Sequence, residues 1–209
     1  MLTATPHPFS VFPMSFSVVE VPSKEHAHFE SCKKIRLEVF VEEQGVDADS
    51  ELDDIDDHAQ HFLITWKADS GENEIPVATM RMFSYDVPEQ SGNLVLKMGR
   101  IAVVKSFRKH GLGRKLLEVA EHYAVSRSAE QQKPGVFLYL HSQSDKHGFY
   151  TRFGYSVVRS AAQLDELRDG KLIKEPDELE LKSLEFVEDG ILHVRMAKYI
   201  PCPFDQRKC

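Results

Sequence analysis

Hydrophobic residues recur at helical spacing in one long stretch of this chain, between residues 111 and 128. The apolar positions there are Leu112, Leu116, Leu117, Ala120, Tyr123 and Ala124, and polar residues fill most of the positions between them. Side chains spaced three, four and seven residues apart lie on one face of an α-helix. The pattern predicts an amphipathic helix over residues 111–128 that packs one face on a core.

Shorter apolar stretches before and after this helix predict strands. They are bounded by residues such as Gly, Pro, Asp and Asn, which favour turns. No internal repeat is visible, and strands and helices alternate along the chain, which predicts one α/β domain with both sheet faces covered. Strands are predicted at residues 16–21, 61–67, 76–85, 94–104, 136–141, 155–159 and 192–200, and further helices at residues 24–44 and 146–153.

Two glycines lie between the predicted central strand and the long helix, in the sequence Arg108-Lys109-His110-Gly111-Leu112-Gly113. The first turn of a helix presents unpaired N–H groups and the positive end of the helix dipole, and both attract anions. Glycine has no Cβ and adopts positive φ easily, so a phosphate group can approach the backbone closely. Because Arg108, Lys109 and Arg114 add positive charge, this turn predicts a phosphate-binding site.

Two common glycine motifs do not match this turn. A P-loop requires four residues between its glycines, followed by Lys and then Ser or Thr, and the turn has neither feature. A dinucleotide-binding motif requires a third small residue where this chain has Leu116. The remaining pattern is R-x-x-G-x-G between a strand and a helix, and a turn that binds no ligand would also satisfy it.

Three further segments accompany this pattern. Residues 138–143 predict a strand that leads into Gly148-Phe149-Tyr150-Thr151-Arg152-Phe153-Gly154-Tyr155. Residues 36–46 precede Glu51, Asp53, Asp56 and His61, and residues 187–196 lie near the end of the chain. Together with the glycine turn, these segments resemble the GNAT superfamily of N-acetyltransferases. Their order and spacing resemble its ElaA-like branch over about residues 31–198.

The chain departs from that branch in two places. Leu192 stands where the branch usually has proline before the histidine, and a charged stretch at about residues 161–184 is interpreted as an insertion. Both lie near the side of the site where the acceptor is expected. The resemblance therefore indicates the acyl donor better than it indicates the acceptor.

The resemblance implies a mixed α/β fold, the GNAT fold, in which helices cover both faces of a central, mostly antiparallel, twisted sheet. It implies one acetyltransferase domain over residues 15–200, between a flexible leader at residues 1–14 and a tail at residues 201–209. It also implies acetyl-CoA as the cofactor, coenzyme A as the product, and no metal. The residues expected to bind the cofactor are Ile101, Ala102, Val103, Arg108, Lys109, His110, Gly111, Leu112, Gly113, Arg114 and Gln143.

The resemblance further implies that a neutral amine attacks the thioester directly. Tyr150 matches the family tyrosine that protonates the departing thiolate, and a phenol with a pKa of about 10 holds its proton at neutral pH. The alternative role of Tyr150 is that of a packed helix aromatic. A primary amine with a pKa of about 10.4 arrives protonated and must lose a proton. His61 and His193 are the candidate bases, and each is alternatively a hydrogen-bonded structural histidine.

Acidic charge is concentrated in one segment of the chain. Residues 42–57 contain nine acidic residues and no basic residue, whereas the whole chain has a net charge of −7, so the remainder is nearly neutral. A calcium-binding loop is excluded because Leu52 and His58 stand where such a loop needs Gly and Glu. The segment is either a solvated loop or a negative rim that attracts a cationic amine. The candidate acceptor-binding residues are Glu42, Glu43 and Asp56.

Composition is that of an ordinary globular protein, with 42% hydrophobic and 28% charged residues. No apolar run approaches the ~18 residues of a membrane span, and residues 1–14 lack the pattern of a secretory signal. The acidic surface argues against a nucleic-acid partner. Three cysteines form neither a disulfide framework nor a metal cluster, and Cys32 is predicted to lie in the core. A cytoplasmic location is expected, with access to the nucleus left open.

Three functions remain open at this point. The first is an N-acetyltransferase that acts on a small cationic amine, as a monomer or homodimer that binds neither nucleic acid nor membranes. The second is a protein acetyltransferase that acts on lysines or N-termini. The third is an acyl-CoA-binding sensor without turnover. Tyr150 argues against the third function, because a sensor needs no proton donor beside the sulfur.

Overall fold

A computed structural model describes residues 15–67, 74–87 and 92–202 of the chain, and eight strands within these residues form one sheet. The leader predicted at residues 1–14 and most of the predicted tail lie outside them. The strands are β1 (Ser15–Val21), β2 (Gln60–Lys67), β3 (Ile75–Ser84), β4 (Leu94–Val103), β5 (Gly135–Gln143), β6 (Ser156–Val157), β7 (Phe186–Glu188) and β8 (Ile191–Pro201).

The strand order across the sheet is β1-β2-β3-β4-β5-β8-β6, and the short β7 also pairs with β8. Every pair of neighbours is antiparallel except β4 and β5, which are parallel. This confirms the expected mixed α/β fold with a mostly antiparallel sheet. The predicted strand bounds are correct to within two residues, apart from β6, which is shorter than predicted, and β7, which was not predicted.

Six α-helices lie within the described residues: α1 (Phe29–Arg36), α2 (Ala48–Glu51), α3 (Leu112–Glu130), α4 (His147–Thr151), α5 (Ala161–Arg168) and α6 (Glu178–Leu184). The helix predicted at residues 24–44 begins later, at Phe29, and continues beyond α1 as a π-helical segment, Leu37–Glu43. Such segments are rare and often occur at functional sites. The predicted insertion contains α5 and α6.

Successive side chains of a strand point to opposite faces of the sheet, and helices pack on both faces. Phe62 and Ile64 of β2 belong to the core cluster beneath α3, whereas Leu63 between them packs with α1. Leu116 and Leu117 of α3 are almost completely buried, and burying a leucine side chain contributes about 1.5–3 kcal/mol. The residues that form the apolar helical pattern in the sequence are therefore those that pack α3 on the sheet. Cys32 of α1 is completely buried in the core, as predicted.

The parallel pairing of β4 and β5 ends halfway along the strands. It runs from Leu94 opposite Val136 to Met98 opposite Leu140 and then stops. Beyond that point β4 stays with β3 and β5 stays with β8, so the two strands separate. The register between β3 and β4 shifts at Arg100, whose φ is +52°, as expected of a bulge in β4. The bulge therefore marks the start of a cleft between β4 and β5.

Three acids of the segment at residues 42–57, Glu51, Asp53 and Asp56, are paired with arginines, and Glu51 and Asp56 are buried. Arg36 of α1 donates hydrogen bonds to Glu51 Oε1 at 2.6 Å and to Asp56 Oδ1 at 2.7 Å, and it contacts the carbonyl oxygen of Glu51. Arg81 of β3 donates to Asp53 at 2.6 Å and to Asp56 at 2.8 Å. Arg36, Glu51, Asp56 and Arg81 are each 4% exposed or less. These ion pairs fasten the segment to α1 and β3.

The carboxyl group of Asp56 is the centre of this network. Burial alone would raise its pKa, but the hydrogen bonds and charges of Arg36 and Arg81 outweigh burial and lower the pKa to about 2. Removing one partner of a buried ion pair leaves the other charges uncompensated. Asp56 is therefore a structural anchor, since it stabilises the folded chain wherever it is ionised.

We expect the substitution Asp56→Asn to lower the free energy of unfolding by about 3–5 kcal/mol at pH 7. It removes the carboxylate that Arg36 and Arg81 share and leaves excess positive charge buried beside Glu51 and Asp53. The folded pKa of Asp56 lies below the unfolded value of about 3.9, so its stabilisation is complete above that value and is lost as the pH falls towards 2. Urea denaturation at pH 7 and pH 3 should show a difference between parent and variant that narrows in acid. The exposed Asp54→Asn is the matched control, and an equal effect of both substitutions would contradict the anchoring role.

Candidate active site

A large cleft opens where β4 and β5 separate. Its volume is about 1550 Å³, and it is bordered by the π-helical segment, the bulged half of β4, the start of α3, the end of β5, α4 and the β7–β8 turn. Arg100 at the bulge crosses between two of its walls. Its guanidinium lies 3.0 Å from Glu51 on one side and 3.3 Å from Asp189 of the β7–β8 turn on the other. The cleft is therefore built where the pairing of β4 and β5 ends.

The N-terminus of α3 faces this cleft with its backbone donors open. Gly111 precedes the helix with φ at +79°, and Lys109 also has a positive φ, +67°. Within the described residues, the N–H groups of residues 109–114 have no backbone acceptor. A Cβ on Gly113 would lie 3.1 Å from the ring of Phe149. The turn predicted from its two glycines thus has the geometry of an anion site.

The cations around this turn are placed differently from one another. Arg108 donates two hydrogen bonds to the Glu43 carboxylate, at 2.5 and 2.7 Å, and one from Nε to the carbonyl oxygen of Val103 at 3.0 Å. Arg114 pairs with Glu118 in α3 at 2.8 Å. Arg108, Lys109 and Arg114 border the cleft, whereas His110 does not. Arg108 therefore joins the π-helical segment to the phosphate turn.

The far half of β4 presents a free backbone edge to the cleft. Val104 donates its N–H to Val77 in β3 at 2.9 Å, so alternate residues Ile101 and Val103 direct their backbone groups the other way. On that side, β5 pairs with β4 only as far as Met98, so Ile101 and Val103 have no strand partner there. Ala102 packs its side chain beneath α1. At the end of β5, Gln143 borders the cleft and donates to the side chain of Gln44 at 2.8 Å.

Tyr150 enters the cleft from α4. It is half-buried, and its ring packs edge-on against Phe149 at 5.1 Å and Tyr155 at 6.2 Å. Burial raises the pKa of Tyr150 to about 12. Its hydroxyl has no hydrogen-bond partner within the described part of the chain, so at neutral pH the hydroxyl proton is available to a ligand in the cleft.

Only one of the two histidines predicted as a base borders the cleft. His193 of β8 does, and its Nδ1 donates to the carbonyl oxygen of Ile191 at 2.9 Å, which leaves Nε2 free to accept a proton. His61 is completely buried, packs edge-on against Phe29, and has its Nε2 3.5 Å from the carbonyl oxygen of Asp56. Burial lowers the pKa of His61. A substrate in the cleft does not reach it.

The three predicted acceptor-binding residues are also separated. Asp56 is enclosed by Arg36 and Arg81, and Glu43 is paired with Arg108. Glu42 is exposed and lies outside the cleft. The interpretation of residues 42–57 as a free negative rim is thus wrong for Glu43, Glu51, Asp53 and Asp56, because arginines compensate their charges.

A polar cluster on the other wall was missed at the sequence level. The Nδ1 atom of His141 in β5 lies 2.9 Å from Oε2 of Glu188 in β7 and 3.3 Å from Nζ of Lys97 in β4. All three residues border the cleft. The signal that could have found them is the polar His141 beside the apolar Leu138 and Leu140, but Glu188 was out of reach because β7 was not predicted.

Groups of three or more His, Cys, Asp or Glu side chains suited to a metal ion are absent from the described residues. In the same residues, none of the helices combines the length and the apolar character required to cross a membrane.

Comparisons of the sequence with known proteins find one family and several relatives. Residues 59–157 match the family model described as an acetyltransferase (GNAT) domain. Over 164 residues the chain is 30% identical to "Putative acetyltransferase BSU40680" of Bacillus subtilis (strain 168). The aligned residues cover 77% of this chain and 97% of the Bacillus protein.

Solved structures share the fold. The "putative N-acetyltransferase from Lactobacillus plantarum" has a TM-score of 0.61 and 24% identity, over 88% of this chain and 98% of that one. Arabidopsis thaliana Naa50, solved in complex with the bisubstrate analogue CoA-Ac-MVNAL, has a TM-score of 0.50 and 16% identity, over 88% and 98%. The family match and the Bacillus relative together show that this chain belongs to the GNAT family of acetyltransferases.

Proposed function

We propose that this protein transfers the acetyl group of acetyl-CoA to a primary amine, with Tyr150 as the general acid. The observation that carries the proposal is that three features meet in one cleft: the open N-terminus of α3, the free edge of β4 and the hydroxyl of Tyr150. Each suits one part of the donor. The same resemblances in residues 36–61 and 187–196 favour the ElaA-like branch of the family.

The donor is bound mainly by backbone in this proposal. The pyrophosphate accepts hydrogen bonds from the N–H groups of residues 109–114, with charge from Arg108, Lys109 and Arg114. The pantetheine arm pairs with the backbone of Ile101 and Val103, as an added strand pairs with a free sheet edge. Gln143 is placed to donate a hydrogen bond to an amide of the arm.

Tyr150 supplies the proton for the leaving group. The amine nitrogen attacks the thioester carbonyl carbon, the C–S bond breaks, and the thiolate takes the hydroxyl proton of Tyr150. Because burial raises the pKa of Tyr150 to about 12, the phenol is fully protonated at neutral pH before each turnover. His193 or a second group on the cleft wall takes the proton of the amine. Holding the two reactants in register supplies much of the acceleration.

The acceptor is proposed to be a small cationic molecule with a primary amine. Glu42, Asp49 and Asp54 are exposed and form no ion pair within 4 Å in the described residues, so the rim of the acidic segment keeps part of its negative charge. This charge favours a cation over an anion. A lysine or N-terminus of a protein is the alternative acceptor. The cytoplasmic location and the monomeric or homodimeric state stay predictions.

Thiol release from acetyl-CoA in the presence of amines tests the reaction. Spermidine, glucosamine, kanamycin and a lysine-rich peptide would distinguish small cations, amino sugars and protein acceptors. We expect at least one small cationic amine to accelerate thiol release. Binding of acetyl-CoA without acceleration by any amine would instead favour the sensor function.

We expect Tyr150→Phe to lower kcat by about 10²- to 10⁴-fold, because it removes the proton donor and keeps the packed ring. The dissociation constant of acetyl-CoA, measured by calorimetry, should stay unchanged. Tyr123→Phe is the matched control, since Tyr123 is a partly buried tyrosine of α3 that lies outside the cleft. Equal activity of Tyr150→Phe and Tyr123→Phe would refute the role of Tyr150.

We expect Gly113→Val to raise the dissociation constant of acetyl-CoA at least tenfold. Its side chain would push against Phe149 and would crowd the N–H groups that receive the pyrophosphate. Gly92→Val is the control, because a Cβ on Gly92 has no atom within 4 Å among the described residues. Calorimetric titration with acetyl-CoA and with coenzyme A measures both variants. An unchanged affinity in Gly113→Val would show that phosphates bind elsewhere.

A further inference from the structure

The cluster of Glu188, His141 and Lys97 on the cleft wall defines the state of one imidazole. A hydrogen bond from His141 lowers the pKa of Glu188 to about 2, against the effect of burial, so Glu188 is a carboxylate at neutral pH and only accepts hydrogen bonds. Nδ1 of His141 has two contacts, Oε2 of Glu188 at 2.9 Å and Nζ of Lys97 at 3.3 Å, and the shorter one favours a proton on Nδ1. Nε2 of a neutral His141 is then an unprotonated acceptor.

The ring of His141 is held in place from several sides. Phe186 packs edge-on against it at 4.8 Å, and Tyr139 lies beyond at 6.1 Å. The imidazole side chain is 14% exposed, and its Nε2 has no partner in the described residues. A fixed tautomer, a fixed ring and an open second nitrogen are the features of an oriented base.

His141 also lies at the point where the donor must end. An arm that runs from the N-terminus of α3 along the edge of β4 passes Val103 and Ile101 and reaches Gly99 about 13 Å beyond Val103, at ~3.3 Å per residue. There the cleft closes, because Met98 and Leu140 form the last pair of β4 and β5. His141 is the next residue of β5. Its neighbour Leu140 belongs to the core beneath α3, so His141 points to the opposite face, the one that α1 covers in part.

Resting on the proposed acetyl transfer, we propose that His141 is the base that deprotonates the acceptor amine and that Glu188 is the residue that positions it. The ammonium group of the acceptor gives one proton to Nε2 of His141, and its nitrogen then attacks the thioester carbon. The C–N bond forms, the C–S bond breaks, and the thiolate takes a proton from Tyr150. The second proton of the nitrogen replaces the proton of Tyr150 through solvent, and His141 releases its proton to solvent.

Charged groups on every neighbouring element bear on this pair. Lys97 of β4 is nearest, with its Nζ 3.3 Å from Nδ1 of His141, and burial lowers the pKa of Lys97. On β8, Arg195 is the register partner of His141 and lies over the ring of Phe186, and His193 is paired with Phe186. Arg81 and Arg100 stand further along the cleft. These charged groups also contribute to the pH dependence of the reaction.

The decisive measurement is kcat/KM for the best amine of the panel, at pH 7 and at pH 9.5. We expect His141→Gln to lose about 10²- to 10⁴-fold at pH 7. The loss should shrink at pH 9.5, because an amine with a pKa of about 10.4 is then partly neutral without help. The affinity for acetyl-CoA should not change. Added imidazole should restore part of the activity of His141→Ala, which a merely structural role would not allow.

Glu188→Gln tests the positioning role by a readout other than activity. Nitrogen-15 NMR of the imidazoles should show His141 protonated on Nδ1 in the parent and a mixture of tautomers in the variant, with the His141 signals assigned by their loss in His141→Gln. The exposed His122→Gln is the control for unchanged activity, since His122 of α3 lies outside the cleft. A His141 signal with its proton on Nε2 in the parent would overturn the proposal.

Two kinetic outcomes would also overturn it. One is an equal loss in His141→Gln at both pH values, and the other is a loss in His193→Gln that shrinks with pH while His141→Gln stays active. The parent protein separates these results from failure of the proposed function. A parent that acetylates no amine refutes acetyl transfer and the base together, whereas an active parent with an unaffected His141→Gln variant refutes the base alone.

Discussion

The separation of β4 from β5 is the constraint on which the rest of the site depends. Their parallel pairing stops after Met98, just before the point where β4 bulges at Arg100. The backbone of β4 beyond that point has no strand on its second side. Unpaired backbone groups in a protein interior must find partners, so this edge is suited to an extended, amide-bearing ligand. The cleft, the free edge and the approach to α3 all follow from one irregular residue.

Arginine side chains hold the walls of the cleft in position. Arg100 contacts Glu51 on one wall and Asp189 on the other, and Arg36 and Arg81 hold the acidic segment from beneath. Buried ion pairs add little net stability, since desolvation offsets most of their attraction, but they fix geometry strongly because each partner is costly to leave alone. The main role of the acidic segment is therefore to form a wall of the cleft. Only its exposed acidic residues are available to attract a cation.

The sequence was sufficient for those features that local physics decides. The apolar face of α3, the glycine turn before it and the alternating strands depend on residues close in the chain, and their predicted positions agree with the structure. The acidic segment and the Glu188–His141 contact depend on residues 15 to 47 positions apart. His61 illustrates the limit. Its place beside a strand indicated a base, but its packing against Phe29 of α1 places it in the core, whereas His193 of β8 borders the cleft.

In the proposed reaction, donor and acceptor are recognised by different kinds of group. The donor side uses backbone N–H groups and a strand edge, whose positions are set by glycine conformation and strand pairing, so a short motif is enough to reveal it. The proposed acceptor side uses side chains carried by β4, β5, β7 and β8, and their meeting depends on a hairpin that begins beyond α5 and α6. Residues 161–184, which lead into that hairpin, are distant in sequence from the phosphate turn at residues 108–113. Within one fold, the acceptor side can therefore vary while the donor side is retained.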